Sequence, residues 1–147
     1  MLPVPLQQLD DGLPMPRYAR EGDAGADLVA RSEVLLVCRG GRAAVPTGVA
    51  VAIPTGYAGL VLPRSGLAVR HGLTCLNAPG LVDSGYRGEL QVVLVNHDPE
   101  HNYAVSRGDR IAQLMLVRVE EAAFDLVPED GLGVSHRGDG GFGHTGR

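Results

Sequence analysis

Apolar segments rich in valine, leucine and alanine alternate along this chain with turns built on glycine and proline, which number 21 and 10. Such punctuation leaves room for short strands and almost none for long helices. Seven segments read as strands, 27–30, 33–38, 48–53, 59–62, 73–77, 89–96 and 110–119. Most are bounded by turn residues and enriched in β-branched side chains. Pro46-Thr47-Gly48 and Pro54-Thr55-Gly56 bracket one of them as two turns. No segment sustains a helical period, although 65–70 can make one short helix with Ser65 near its N-cap. The fold class this predicts is all-β, a small antiparallel barrel or jelly roll.

A chain of 147 residues is the size of one compact domain, which buries roughly 68–70% of its unfolded surface. The expected division is a β-barrel over 1–127 followed by an arm over 128–147. The arm has little apolar content, and its end, RGDGGFGHTGR over 137–147, carries five glycines. Such a segment cannot offset the entropy of ordering from its own contacts, so it is expected to be flexible until something docks it. The net charge of −4 argues against nucleic-acid or membrane-surface partners, which usually require a basic stripe. A polyanionic ligand would instead need focused arginines, backbone amides or a divalent cation. No apolar run approaches the ~20 residues of a membrane span. The N-terminal MLPVPLQQLDDGLPMP lacks a basic leader and an apolar core, so a cytoplasmic location is expected. Cys38 and Cys75 both fall in apolar, strand-like runs without CxxC spacing. Free buried thiols are the expectation, with a disulfide between them left open.

Five polar clusters interrupt this pattern. Gly25-Ala26-Asp27-Leu28 puts a carboxylate at the mouth of a strand. Pro63-Arg64-Ser65-Gly66 offers a guanidinium, a hydroxyl and free amides ahead of a short helix, a plausible phosphate cradle. The segment 73–89, LTCLNAPGLVDSGYRGE, reads as a hairpin of two short strands that presents Asn77, Asp83 and Tyr86 together. Asp83 follows Leu81 and Val82, so partial shielding is expected, and a shielded carboxylate near phosphate oxygens is a candidate general base. A turn-capping role for Asp83 in Asp-Ser-Gly is the competing reading of the local sequence. Gln113 is a polar residue within the apolar run 110–119 and faces either solvent or a site. Phe142, between glycines in the arm, has no local core to join and is a candidate stacking group, with Arg137 nearby for phosphate. Other signals carry less. The two RGD triplets are cheap matches, Pro99 breaks any helix pairing His97 with His101, and no GKT or GKS completes a Walker loop.

Taken in order, AGADL at 24–28, PRSGLA at 63–68, GLVDSGYRGE at 80–89, RGDRIAQL at 107–114 and RGDGGFGHTG at 137–146 resemble the five motifs of the trimeric dUTP diphosphatases. The resemblance spans nearly the whole chain. It implies a jelly-roll subunit, a homotrimer with sites between subunits, and hydrolysis of dUTP to dUMP and pyrophosphate. It implies further that Asp83 activates the attacking water and that Tyr86 packs beneath the deoxyribose. Uracil would be held through Asn77 and the backbone around Leu81 and Val82. Arg64, Ser65 and Gly66 would bind the phosphate chain, with Gln113 near the α-phosphate. Asp27 would act through water on Mg²⁺, itself chelated mainly by the triphosphate. Arg137 would bind phosphate from the arm while Phe142 stacks over the base.

Two positions depart from the family pattern: Ala26 stands where a larger residue is common, and His144 replaces the usual serine. A dCTP deaminase shares the fold, but the complete third motif and the aromatic arm favour the hydrolase. A non-catalytic relative would predict damage to a motif residue, and Asp27, Arg64, Ser65, Asp83, Gln113 and Phe142 are all present.

Overall fold

In the computed structural model, which describes residues 1–140, the short apolar runs become strands and their glycine and proline boundaries become turns. In chain order these are β1 (Leu6–Gln8), β2 (Ala26–Val29), β3 (Val34–Leu36), β4 (Gly41–Pro46), β5 (Val49–Val51) and β6 (Tyr57–Pro63). A single helix follows, α1 (Ser65–His71), and then β7 (Leu73–Cys75), β8 (Gly80–Val82), β9 (Gln91–Asn96), β10 (Tyr103–Val105) and β11 (Arg110–Arg118). The strands form four small antiparallel sheets, ordered β2-β11-β6-β8, β4-β9-β7, β1-β5 and β10-β3. Together they make a jelly roll. Its core is aliphatic, centred on Leu28, Leu36, Val45, Leu73, Leu90, Val92, Leu94 and Ile111, each almost wholly buried. Burying such side chains contributes about 1.5–3 kcal/mol apiece, which compensates for strands too short to be stable alone.

Three local expectations change. The helix is there, but Arg64 occupies its N-cap position and makes no side-chain capping bond, so Ser65 is its first helical residue. Gly72 closes the helix in the left-handed conformation, with φ 62°, where its missing Cβ removes the steric cost. The segment 73–89 is not a simple hairpin. β7 pairs with β9 and β8 pairs with β6, so its two strands join different sheets. The N–H of Leu76 donates to Val93, which keeps the first half on β9, and that of Ala78 donates back to Cys75 in a turn before the chain crosses over. Finally, Cys75 lies in the core, where burial pushes its thiol up to about 11, while Cys38 lies outside any strand and is only half-buried. Both are free.

Candidate functional site

The central sheet gathers Asp27, Arg64 and Gln113 at one end. Asp27 pairs with Gln113 across β2 and β11, and Gln113 pairs with Leu62 across β11 and β6. Cross-strand partners share a face, so Asp27 and Gln113 project together from the same side of the sheet. β11 shifts register between Arg110 and Ala112. This bulge lets Ile111 and Ala112 both turn into the core while Arg110 joins the face of Asp27.

The electrostatics of that end follow from one carboxylate meeting two guanidiniums. Arg110 Nη1 donates to Asp27 Oδ2 at 3.1 Å, and Arg64 Nε lies 3.4 Å from Asp27 Oδ1. Arg64 Nη1 also donates to the Arg110 carbonyl at 3.1 Å, which turns its side chain toward β11 and away from β8. The carboxylate thus holds both arginines while leaving an excess of positive charge, a setting suited to a polyanion. Next to it, the Leu67 and Ala68 N–H groups bond to the Arg64 carbonyl, and the first amides of α1 have no intrahelical acceptor. The Arg70 guanidinium covers Gly66, where an added Cβ would come within 3.0 Å of Nη2. Pro14, Arg17, Asp27, Gly108 and Arg110 border an open cleft of about 240 Å³ at this end.

The third motif lies elsewhere. Val82 is opposite Gly59 and Gly80 is opposite Val61, so β8 runs antiparallel to β6 and carries Asp83 toward the start of β6. Arg64 follows the end of that same strand. Six residues of extended chain separate the two positions, about 20 Å at ~3.3 Å per residue. Asp83 and Tyr86 line a second cleft of about 370 Å³ with Leu81, Val82, Leu90 and Gln91. Both residues are exposed, so the expected shielding of Asp83 is not supplied by this chain over 1–140. The physical reason is that β8 is an edge strand and, among the described residues, nothing packs over the loop that follows it. Asn77 is also exposed, its amide nitrogen close over Gly80.

Arg137 is exposed and donates from Nε to the Gly140 carbonyl at 2.9 Å, a local turn within the arm. Phe142 and His144 lie outside the described residues. Sequence reasoning gave no role to Arg70 or Arg110, although Arg110 sits inside the fourth motif and opens the strand that carries Gln113.

A divalent cation has limited protein ligation here. Among the described residues no group of three or more His, Cys, Asp or Glu side chains converges. Asp27 Oδ1 is inaccessible to solvent and lacks a hydrogen-bond partner. With both oxygens beside guanidiniums, Asp27 cannot build a protein cage for a cation, so a divalent ion at this end would take most of its ligands from a bound polyanion and from water. Among the described residues no helix is long and apolar enough to cross a membrane.

The dUTPase family model matches residues 11–146. The deoxyuridine 5'-triphosphate nucleotidohydrolase of Thermobifida fusca is 59% identical over 143 residues, covering 97% of this chain and 78% of that protein. Its namesake in Mycobacterium marinum is 54% identical over 145 residues, covering 95% and 92%. A mutant dUTPase of Staphylococcus bacteriophage 80alpha, solved with dUpNHpp, superposes with a TM-score of 0.87 at 29% identity over the full length of both chains. A phage phi11 dUTPase mutant, described for its coordination of a structural Mg(II) ion, gives 0.78 at 26% identity over 87% of this chain and 98% of that one.

Proposed function

The chain belongs to the dUTPase family, and from that membership we propose that it hydrolyses dUTP to dUMP and pyrophosphate in the cytoplasm. This activity limits uracil incorporation into DNA and supplies dUMP for thymidylate synthesis. The observation that carries the reading is the division of the motif residues between two separate places on the domain. At one stand Arg64, Arg110, Asp27 and Gln113, of which Asp27 and Arg110 border a cleft. The other holds the carboxylate and the aromatic ring.

A water oxygen attacks the α-phosphorus, its proton passes to Asp83, and the bond to the β-phosphate oxygen breaks to release pyrophosphate. Arg64 and the amides of Ser65 and Gly66 hold the phosphate chain, and Gln113 stands near the α-phosphate. Asn77 and the backbone of Leu81 and Val82 hold the uracil edge. Tyr86 packs beneath the deoxyribose. The arm over 128–147 brings Arg137 to the phosphates and Phe142 over the base, excluding water on closure. The triphosphate would hold Mg²⁺, with Asp27 reaching it through water, and the cation would supply charge neutralisation at the phosphate oxygens.

The homotrimer is part of the same reading, and the geometry of the chain supports a site shared between subunits. Arg64 and Asp83 of one chain are about 20 Å apart, farther than one triphosphate can bridge with both in contact. A site containing both is formed when the Asp83 cleft of one subunit faces the Arg64 end of another. Pyrophosphate release from dUTP is expected with Mg²⁺ and is expected to fall to background with EDTA. Undiminished release after chelation would remove the metal from the scheme.

A further inference from the structure

The loop from Asp83 to Glu89 folds back around Tyr86. The Tyr86 hydroxyl donates to the Glu89 carbonyl at 3.0 Å, and the Tyr86 N–H donates to the Asp83 carbonyl at 3.1 Å. The ring lies directly against Gly88, where a Cβ would stand 2.5 Å from the Tyr86 hydroxyl oxygen and 2.7 Å from Cζ. Separations that short fall deep in the repulsive range for non-bonded atoms. The bare α-carbon of Gly88 is therefore the floor on which the phenol rests.

Glu89 is fixed from the opposite side by the body of the domain. Its carboxylate accepts the Gly48 N–H at 2.8 Å and Arg31 Nη1 at 3.2 and 3.3 Å. Arg31 also donates to the Leu9 carbonyl at 3.2 Å and pairs with Asp10 at 3.5 Å. The carbonyl that stops the Tyr86 hydroxyl thus belongs to a residue anchored at Gly48 and Arg31, with Arg31 tied in turn to Leu9 and Asp10. An exposed aromatic side chain on a loop would otherwise move freely about its two torsions. Here one face and the tip are both constrained.

We propose that the Gly88–Glu89 segment is the positioning element that sets the Tyr86 ring, and through it the rejection of a 2′-hydroxyl on the substrate sugar. The proposal rests on the sugar-packing role given to Tyr86 above. Selectivity of this steric kind depends on where the ring stops, because a small displacement makes room for one additional oxygen. Glycine at 88 serves close approach rather than backbone freedom, since its φ lies outside the left-handed region. Alanine there leaves the main chain unstrained, and only the tip of an exposed tyrosine has to yield.

The test compares wild type, Gly88→Ala, Tyr86→Phe and Tyr86→Ala, measuring kcat and KM for dUTP and UTP with Mg²⁺, and thermal melting. Gly88→Ala is expected to melt within about 3 °C of wild type. Its kcat/KM preference for dUTP over UTP is expected to fall by roughly tenfold or more. The change should arise from a higher KM for dUTP together with better use of UTP. Tyr86→Phe keeps the ring, loses the hydroxyl stop, and is expected to shift the ratio in the same direction by less. A glycine needed only for folding would depress both substrates equally and leave the ratio unchanged. Full preference in Gly88→Ala and Tyr86→Phe, with preference lost in Tyr86→Ala, would overturn the positioning role while sparing the role of Tyr86. Full preference in Tyr86→Ala would overturn both.

Discussion

Asp83→Asn is expected to lower kcat by about 10²–10⁴-fold, or about 3–5 kcal/mol in the barrier, while the affinity for dUTP stays within about threefold. The substitution keeps shape and hydrogen-bonding capacity but removes the lone-pair basicity that accepts the proton of the attacking water. Asp83 is exposed on a loop beyond an edge strand, outside the aliphatic core, so the variant should fold and assemble normally. Single-turnover hydrolysis measured beside equilibrium binding of dUTP separates the two effects. A kcat close to wild type would show that Asp83 caps a turn and another group activates the water. Equal loss of binding and turnover would make it a substrate ligand instead of a base.

A second large effect is expected from mixing two inactive proteins. Arg64→Ala removes the phosphate clamp but leaves the Asp83 cleft intact, and Asp83→Asn does the reverse. If each site takes Arg64 from one subunit and Asp83 from a neighbour, equal mixing with subunit exchange creates whole sites. Random assembly of a cyclic trimer then restores about a quarter of the wild-type number of sites. If each site were built within one chain, no mixture would contain a functional one. Activity should appear only after exchange, through mild dissociation and reassembly or co-expression. Persistent inactivity in mixtures shown to contain both subunits would refute the intersubunit arrangement.

The sequence carried the strands at the centre of the fold and much less about which strand pairs with which. Residues 89–96 and 110–119 are apolar, β-branched and bounded by turns, and they became β9 and β11 within about two residues. β1, β4 and β10 went unnoticed. Gln7 and Gln8 leave β1 little apolar signal, β4 is Gly-Arg-Ala-Ala-Val-Pro, and β10 is only Tyr-Ala-Val. Each is held by ladder partners far along the chain, such as Leu6 with Val51 and Tyr103 with Leu36, which local periodicity does not register. The misread hairpin has the same origin: turn chemistry around Pro79 marks a reversal but not which sheet receives the next strand.

The candidate site divides along similar lines. Asp27, Arg64 and Gln113 were legible because short, ordered motifs carry them, and the sheet brings all three to one end. Arg110 was harder to find, because its approach to Asp27 depends on a bulge that only the register reveals. The anchoring of Glu89 by Arg31 spans 58 positions and joins two residues that look like ordinary surface charges in the sequence. The shielding expected for Asp83 is not found among residues 1–140, where the loop stands exposed beyond an edge strand.

The most direct test of the proposed reaction is pyrophosphate release measured in parallel from dUTP, dCTP, dTTP and UTP in the presence of Mg²⁺. Strong release from dUTP, with little from the other three, is the predicted result, and it would establish the bond broken, the base and the sugar in one experiment. Ammonia from dCTP without pyrophosphate from dUTP would make the chain a deaminase on the same fold, and silence with all four would contradict the chemistry assigned to Asp83.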